Sequence, residues 1–326
     1  MRSILGIDVS KASFDVVLLR ETKKVHTVFS NDQKGFKQLH RWLISQQADE
    51  IHACLEATGQ YGDGIAEYLF GLGHAVSVVN PARIKRYGES KLHRNKTDKA
   101  DAELIAEFCL KEKPALWEPL SPESKHLRAL VRRLDDLQTN HQQEKNRLKS
   151  GEQDIYVIAN LTEHVHYLEA SIKALKKEIQ DYIDQTPDLK SKQDLLSSIP
   201  GIGNLTAAKL LAEITDISSF DGAPQLAAYA GLNPKGFRSG SSVHKKTRIS
   251  KQGRSELRYY LYMPAIVAMK SNSVIRALKE RLYERRLPMM AIVAAAMRKL
   301  LHMVYGVLKN KKPFEPDYDK QFNYLT

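Results

Sequence analysis

The sequence predicts a multi-domain chain in which an α/β domain comes first and mainly α-helical segments follow. Short runs rich in β-branched residues alternate with helical periodicity over the first 80 residues. From about residue 121 onward, the apolar residues recur almost entirely at helical spacing. At roughly 100–200 residues per domain, 326 residues accommodate two or three domains. We place these at 1–120, 121–187 and 188–326.

The first domain is predicted to combine a meander with a strand–helix–strand unit. Polar turns separate its first three strands, and helical patterns lie before and after the fourth. This order of elements is that of an α/β ribonuclease-H-like domain. We expect a loop at 83–96 and then a helix at 97–111 with Thr97 as its N-cap. The elements before the loop are strands Ser3–Val9, Phe14–Leu19 and Val25–Ser30, a helix at about 33–47, strand Ile51–Leu55, a helix at about 61–72 and strand Ala75–Val79.

Four carboxylates lie where such a domain brings them together. Asp8 interrupts an otherwise apolar strand, and a carboxylate buried without a partner costs several kcal/mol. Glu56 follows the fourth strand, which lies beside the first in this order of strands. Asp98 and Asp101 share one face at the start of a helix. Such hard oxygen ligands hold Mg²⁺ or Mn²⁺ and support in-line phosphoryl displacement.

Each acid taken singly is more often structural than catalytic. Asp98 has the position of an acid that complements the helix dipole, and Asp101 that of a solvated neighbour. Asp15, Glu103 and Glu107 are expected to face solvent or to support the site from outside. The four acids taken together, on these elements and in this order, favour a catalytic site. An actin-like ATPase shares the strand-turn GIDVSK at 6–11, but no later Gly-rich adenosine-binding segment follows.

The segment 121–187 predicts two long helices. Ser121-Pro122 opens the first helix, and Gly151 separates it from the second. The second carries a strict heptad repeat flanked by charges, which is typical of a coiled coil. Association of subunits and a hairpin within one chain are equally compatible with this pattern. The repeat consists of Ile158, Leu161, Val165, Leu168, Ile172, Leu175, Ile179 and Tyr182.

The third domain is predicted to be mainly α-helical and carries the excess positive charge. Residues 1–185 hold 27 basic and 27 acidic side chains, whereas 186–326 hold 23 and 11. A solvated basic surface without a ligand is the plainer interpretation, but the clustering favours a polyanion such as nucleic acid. Between 235 and 258 a single acid, Glu256, accompanies Lys235, Arg238, Lys245, Lys246, Arg248, Lys251, Arg254 and Arg258.

Two motifs frame this basic region. Residues 199–203, Ile-Pro-Gly-Ile-Gly, have the form of a helix-hairpin-helix turn, in which Gly201 and Gly203 let backbone N–H groups approach a phosphate. A simple helix–turn–helix connection uses Pro-Gly as well. A Gly/Ser-rich loop at 237–243 contains serines suited to attack a phosphodiester among cations. Composition favours a plain surface loop and does not choose among Ser239, Ser241 and Ser242.

Several classes of protein are excluded. Two cysteines, Cys54 and Cys109, make no disulfide framework and no zinc-finger spacing, and we expect both to be reduced core residues. The N-terminus reaches Asp8 before any apolar run is long enough for a signal peptide. The apolar stretch at 289–308 contains Arg298 and Lys299, so we expect a buried helix rather than a membrane span. A soluble, cytoplasmic protein that makes no membrane contact is therefore expected.

Motifs distributed over essentially the whole chain resemble one family. They are GIDVSK at 6–11, LEATGQY at 55–61, RNKTDKADA at 94–102, SIPGIG at 198–203, AAYAGLNP at 227–234, SGSSV at 239–243, YMPA at 262–265 and YGVLK at 305–309. Together they are similar to the DEDD transposases of bacterial insertion sequences, which are bridge-RNA-guided recombinases.

This resemblance implies roles for particular residues. Asp8, Glu56, Asp98 and Asp101 would be the metal-binding tetrad of a RuvC-like domain, and Ser239 the nucleophile that becomes covalently joined to DNA. A coiled coil would bring subunits together as a dimer or tetramer, and a C-terminal transposase domain would complete a composite active site. The implied partners are donor DNA, target DNA and a bridge RNA.

Two other functions remain open at this stage. A metal-dependent Holliday-junction-type resolvase or nuclease would use water as its nucleophile and form no covalent adduct. A coiled-coil nucleic-acid-binding protein without catalytic activity would show salt-sensitive binding and no metal-dependent product.

Overall fold

The computed structural model describes residues 3–21, 23–57, 59–91, 97–239 and 243–316. It divides the chain into two units, residues 1–119 and 120–326. The first unit contains one mixed sheet with helices, and the second is mainly helical with a separate two-stranded sheet.

The sheet of the first unit has the strand order β3-β2-β1-β4-β5. The first three strands form an antiparallel meander, and β1, β4 and β5 run parallel. This mixed five-stranded sheet is the one predicted from the sequence. Its strands are β1 (Ser3–Val9), β2 (Ser13–Arg20), β3 (Lys23–Ser30), β4 (Ile51–Glu56) and β5 (Ala75–Val79).

Helices cover the two faces of this sheet. On one face, Leu5 and Ile7 of β1 pack with residues of α1 and α2. On the opposite face, Ile4 of β1 and Cys54 of β4 pack with residues of α3 and α4. Cys54 and Cys109 are both free and buried in this second cluster, as expected for small core residues. The helices are α1 (Gln33–Ser45), α2 (Asp63–Gly71), α3 (Pro81–Ser90) and α4 (Asp98–Glu112).

The prediction of a loop at 83–96 is wrong over most of its length, because α3 occupies Pro81–Ser90. Asn80 follows β5, and its side chain accepts a hydrogen bond from the Ala82 amide at 2.9 Å and caps α3. Pro81 takes the first helical position, where its missing N–H is not needed. Residues 92–96 lie outside the described part of the chain. Thr97 caps α4 as predicted, accepting from the Ala100 amide at 3.2 Å.

Helix α4 lies directly on β1 at Gly6. A Cβ atom built on Gly6 would be 2.1 Å from the Ala102 carbonyl oxygen and 2.5 Å from the Ala106 nitrogen. Real Cβ atoms do not approach backbone atoms so closely, so only glycine permits this contact. The backbones of β1 and α4 therefore touch one turn after the two acids at the start of α4.

Glu107 fixes the same helix to two neighbouring elements. Its carboxylate accepts hydrogen bonds from Lys24 of β3, at 2.8 Å, and from Lys91, which follows α3. Burial opposes ionisation of Glu107, but the two lysines outweigh it and lower the carboxyl pKa to about 2. The ion pairs thus join α4 to the edge of the sheet and to α3.

The second unit is built around one hydrophobic core. The two long helices of 121–187 pack against each other as a hairpin within the chain, and Leu134 and Ile179 belong to the same core as Leu261 and Leu300. Gly151 lies between the two helices with φ +90°. The helices are α5 (Pro122–Lys149), α6 (Ile155–Gln185), α7 (Pro187–Ser197), α8 (Asn204–Glu213), α9 (Ala223–Tyr229), α10 (Ser255–Ser271), α11 (Ser273–Glu284) and α12 (Met289–Asn310).

The prediction of a loop at 237–243 is wrong at both ends, because 237–239 belong to strand β6 (Pro234–Ser239) and Val243 begins strand β7 (Val243–Ile249), which pairs with β6 in antiparallel fashion. Helix α12 is long and apolar enough to cross a membrane by length and composition alone. Its residues Val293, Leu300 and Val304 are buried in the core of this unit, which accounts for its apolar character as a core helix.

Replacing Gly6 by alanine tests the contact between β1 and α4. The added methyl group must push α4 away from the sheet, so we expect Gly6→Ala to lower the free energy of unfolding of the first unit by about 3 kcal/mol. Urea denaturation of the whole protein, followed by hydrogen exchange in 3–119, measures the loss. Gly71→Ala is the matched control, because a Cβ there meets nothing within 4 Å. Equal effects of the two substitutions would contradict the contact.

The Glu107 ion pairs predict a pH dependence of stability. The carboxyl pKa is lower in the folded protein than in the unfolded chain, so this contribution is complete above about pH 4.5 and is lost as the pH falls towards 2. Glu107→Gln should reduce stability by about 1–3 kcal/mol at pH 7 and by much less near pH 2.5. Urea titrations at both pH values measure this difference. A deficit that is the same at both would show that packing, not charge, explains the effect.

Candidate active site

Asp8 and Glu56 lie on neighbouring strands and on the same face of the sheet. Strands β1 and β4 are parallel, and Ile7 pairs with Leu55, so the next residue on each strand is an acid. Side chains alternate along a strand, which places Asp8 on the face of Ile4 and Gly6, and Glu56 on the face of Cys54. This is the face covered by α4. Their position follows from strand register alone.

Asp98 and Asp101 occupy the first turn of α4, which Thr97 caps. An acid in this turn is stabilised by the helix dipole, and a separation of three residues puts both on one side. Asp98 is exposed and Asp101 is half-buried. Because α4 touches β1 at Gly6, its first turn begins beside the end of the strand that carries Asp8.

The pKa of Asp8 depends on the groups that surround its carboxylate. Its carboxyl pKa is raised to about 6, first by burial, then by repulsion from Asp101 and Asp98, and then from Asp15. Asp15 is opposite Asp8 in the β1–β2 ladder, and its carboxylate lies 2.7 Å from Nε2 of His26. Sequence reasoning did not identify His26. Burial is thus the main obstacle to ionisation of Asp8, and the three neighbouring acids add to it.

The four carboxylates are suitable ligands for a divalent cation, but the structure does not arrange them around a single metal position. Carboxylate oxygens are the ligands that Mg²⁺ and Mn²⁺ prefer, and the repulsion at Asp8 is what a bound cation would relieve. Within the described ranges, no group of three or more His, Cys, Asp or Glu side chains is placed to hold a metal ion. The structure therefore brings Asp8 near Asp98 and Asp101 without forming a closed site.

Ser239 is the last residue of β6 and pairs with Val243. Residues 240–242, with Ser241 and Ser242, lie outside the described residues, as do the side chains of Ser239, Arg238, Lys245 and Lys246. The backbone places Ser239 at the end of β6 that precedes residues 240–242.

The remaining candidates for nucleic-acid contact differ in their surroundings. Arg248 and Lys251 are exposed. The Arg254 side chain is occupied within the protein, where its Nε donates to the Tyr229 hydroxyl at 3.0 Å and Nη1 lies 3.9 Å from Oε2 of Glu213. Of these three candidates, Arg248 and Lys251 therefore remain accessible, and Lys235, which pairs with Arg248, is exposed as well.

The two glycines of the predicted phosphate-binding turn also differ. Gly201 has φ +106°, and a Cβ there would lie 2.7 Å from Cβ of Ala268 in α10. This packing accounts for Gly201 without any ligand. Gly203 is the N-cap of α8, and a Cβ there would meet nothing within 4 Å. The helix-hairpin-helix interpretation and the phosphate contacts stay predictions.

Asp8→Asn tests the electrostatic environment of the carboxylates. The amide removes a charge that the fold repels, so we expect a gain of about 1–3 kcal/mol in the free energy of unfolding at pH 7 without divalent cations. Thermal denaturation in EDTA and in Mn²⁺ provides the measurement. Mn²⁺ should stabilise the wild-type protein and not the variant. A loss of stability in EDTA would show that ionised Asp8 is held by a partner rather than repelled.

Comparison with known proteins adds independent information. The DEDD transposase family model of IS110, described as Transposase, matches residues 5–157. A second family model, described as Transposase IS116/IS110/IS902 family, matches residues 193–280. The two matches contain all four acids and Ser239 between them.

Relatives match over most of the chain. The pilin gene-inverting protein of Moraxella bovis is 35% identical over 319 residues, which cover 96% of this chain and 98% of the relative. The transposase for insertion sequence element IS1328 of Yersinia enterocolitica is 25% identical and covers 82% of this chain and 84% of its own. Among solved structures, T. thermophilus RuvC in complex with Holliday junction substrate aligns over 36% of this chain and 99% of its own, with 14% identity and a TM-score of 0.28.

Proposed function

The chain belongs to the IS116/IS110/IS902 family of transposases, and from this premise we propose that it recombines DNA through a covalent phosphoserine intermediate. Ser239 is the nucleophile in this proposal. Asp8, Glu56, Asp98 and Asp101 hold a divalent cation, Mg²⁺ or Mn²⁺. The observation that supports the cation site is the register of β1 and β4, which puts Asp8 and Glu56 side by side on the sheet face covered by α4.

Two kinds of rigid element hold the four acids in place. Asp8 and Glu56 are fixed by the register of two adjacent strands, and Asp98 and Asp101 by a capped helix end. Rigid elements of this kind hold charged groups with little rearrangement during the reaction. The bound cation supplies Lewis-acid stabilisation of the charge that develops on the phosphate.

The serine step exchanges one phosphate ester for another. The Oγ atom of Ser239 attacks phosphorus, a phosphoserine bond forms, and the P–O bond to one DNA fragment breaks. The serine proton passes to solvent, and the departing oxygen becomes a free hydroxyl. A hydroxyl of the partner strand then attacks the phosphoserine, which restores Ser239 and joins the strands without ATP. Exposed Arg248 and Lys251 are suited to contact phosphates around this site.

A relative named as a pilin gene-inverting protein favours recombination over hydrolysis. Inversion of a DNA segment requires that strands be cut and then rejoined, so the energy of the broken bond must be retained. A phosphoserine retains it, whereas attack by water releases it. The resolvase alternative with a water nucleophile is therefore the weaker proposal.

We further propose that the partners are donor DNA, target DNA and a bridge RNA. The net positive charge of residues 186–326, 23 basic against 11 acidic side chains, suits binding to a polyanion. Assembly as a dimer or tetramer belongs to the same proposal. In the hairpin of α5 and α6, the apolar residues Ile155 and Tyr156 at the start of α6 are exposed. Exposed apolar side chains of this kind suit contact with another subunit.

Trapping the covalent intermediate tests the proposed function. Wild-type protein is incubated with Mg²⁺, its co-purified RNA and radiolabelled DNA that carries the element's own junction. Denaturing gels should show a protein–DNA adduct that disappears in Ser239→Ala and persists in the matched control Ser241→Ala. Asp8→Asn should reduce adduct formation by about 10²-fold or more.

Two outcomes would contradict this account. An adduct that survives in Ser239→Ala would assign the covalent bond to another residue. Cleavage that proceeds without an adduct and is unaffected in Ser239→Ala would support the resolvase.

A further inference from the structure

The hairpin that carries Ser239 is attached to the second unit through two backbone segments, 229–233 before β6 and 250–254 after β7. Three backbone hydrogen bonds join them, from the Ser250 amide to Asn233, from Lys251 to Gly231 and from Arg254 to Tyr229, at 2.8–3.0 Å. The Ser250 hydroxyl also donates to the Asn233 side chain at 2.5 Å. We call these two segments the hairpin root.

Two glycines bring the segments of the root into direct backbone contact. Gly253 has φ +146°, and a Cβ there would lie 2.1 Å from the Tyr229 carbonyl oxygen. Gly231 has φ +69°, and a Cβ there would lie 2.8 Å from Nη1 of Arg258. No L side chain fits either position without displacement, so the root has one close-packed arrangement.

Arg258 ties both segments to helix α10. Its Nη1 donates to the Ala230 carbonyl at 2.9 Å, to Gly253 at 3.2 Å and to Arg254 at 3.3 Å. One guanidinium thus satisfies carbonyl groups on both sides of the root. A lysine ammonium carries the same charge but ends one bond short of the Nη1 position, so it does not reach the same three carbonyl groups.

Arg254 links the root to α8. Its guanidinium bonds Tyr229 and faces Glu213, whose side chain is only 1% exposed. Both carboxylate oxygens of Glu213 are buried and, over the residues that the structure describes, accept no hydrogen bond. A buried carboxylate without a cation nearby costs several kcal/mol, and Arg128, Arg254 and Arg132 are the positive charges around it. Glu213 therefore attracts the guanidinium of Arg254, which is 38% exposed, towards α8.

We propose that Arg254, held by Glu213 and Tyr229, and Arg258, bonded to carbonyl groups of both root segments, are positioning residues for Ser239. They fix the hairpin root against α8 and α10, so that contacts within the protein set the direction of the hairpin before DNA binds. This inference rests on the proposed function, because it assigns Ser239 the reaction that the root serves. It also gives Arg254 an internal role in place of the phosphate contact expected from its sequence position.

The test separates positioning from DNA binding. Arg258→Lys retains the charge but ends one bond short of the three carbonyl groups, so we expect DNA affinity within about 2-fold of wild type and a rate of adduct formation at saturating DNA lowered by about 10–100-fold. Tyr229→Phe removes one hydroxyl and gives a smaller decrease in the same rate; it keeps the test available if Arg258→Lys fails to fold. Arg276→Lys, on exposed α11, is the matched control and should match wild type.

Two kinetic results would overturn the inference. An unchanged adduct rate in both root variants would show that the root does not position the serine. A parallel loss of affinity and rate would show that these arginines contact phosphate.

Hydrogen exchange of the hairpin amides in free protein gives a second readout that does not require the reaction. We expect residues 234–249 to exchange at least about 10-fold faster in Arg258→Lys, while α5 and α6 retain wild-type protection. Unchanged exchange in the hairpin of Arg258→Lys would overturn the inference about the root. Adduct formation by the wild-type protein would still support the proposed function in that case. Faster exchange together with no adduct in the wild-type protein would refute the proposed function and leave the anchoring role of the root standing.

Discussion

The first unit depends on the contact that Gly6 permits between β1 and α4. Side chains normally separate the backbone of a helix from the sheet that it covers, but here a Cβ on Gly6 would lie 2.1 Å from a carbonyl oxygen of the helix. This close approach places the first turn of α4 beside the end of β1. The neighbourhood of Asp8 with Asp98 and Asp101 is a consequence of that contact.

Bringing like charges together costs stability, and the surrounding elements offset this cost. Burial, and after it the neighbouring acids, raises the pKa of Asp8 to about 6, so ionised Asp8 opposes folding at neutral pH. Further along the same helix, Glu107 and its two lysines favour folding. Like charges that a rigid scaffold holds close together are typical of sites that bind a ligand of opposite charge.

Much of the first unit was predictable because each element follows a local rule. Strands β1 and β5 have the predicted bounds, since alternating β-branched residues end at clear turn residues. Helix α3 was missed because Asn-Pro is equally typical of a turn and of a helix start. The hairpin of β6 and β7 was missed because its strands are basic and have little apolar alternation from which to infer pairing.

The site could be predicted only where residue type and strand order decide it. Asp8 and Glu56 follow from the parallel pairing of β1 and β4, which the order of elements already indicates. The motif at 199–203 predicts that Gly201 lies near a phosphate. The contact of Gly201 with Ala268 could not be predicted from the motif, because it depends on how α10 packs. The pairing of Arg254 with Glu213 joins residues far apart in sequence, and a basic residue in a basic segment gives no sign that it faces inward.

The central claim is that the close contact at Gly6 assembles a cation site from strand and helix carboxylates. Anomalous diffraction from crystals grown with Mn²⁺ tests it most directly, because the ion's position is seen without reference to activity. The account predicts a peak within about 2.2 Å of carboxylate oxygens of Asp8 and of Asp98 or Asp101, with Glu56 beside it. No peak at these acids at millimolar Mn²⁺, or a peak elsewhere in the unit, would contradict it.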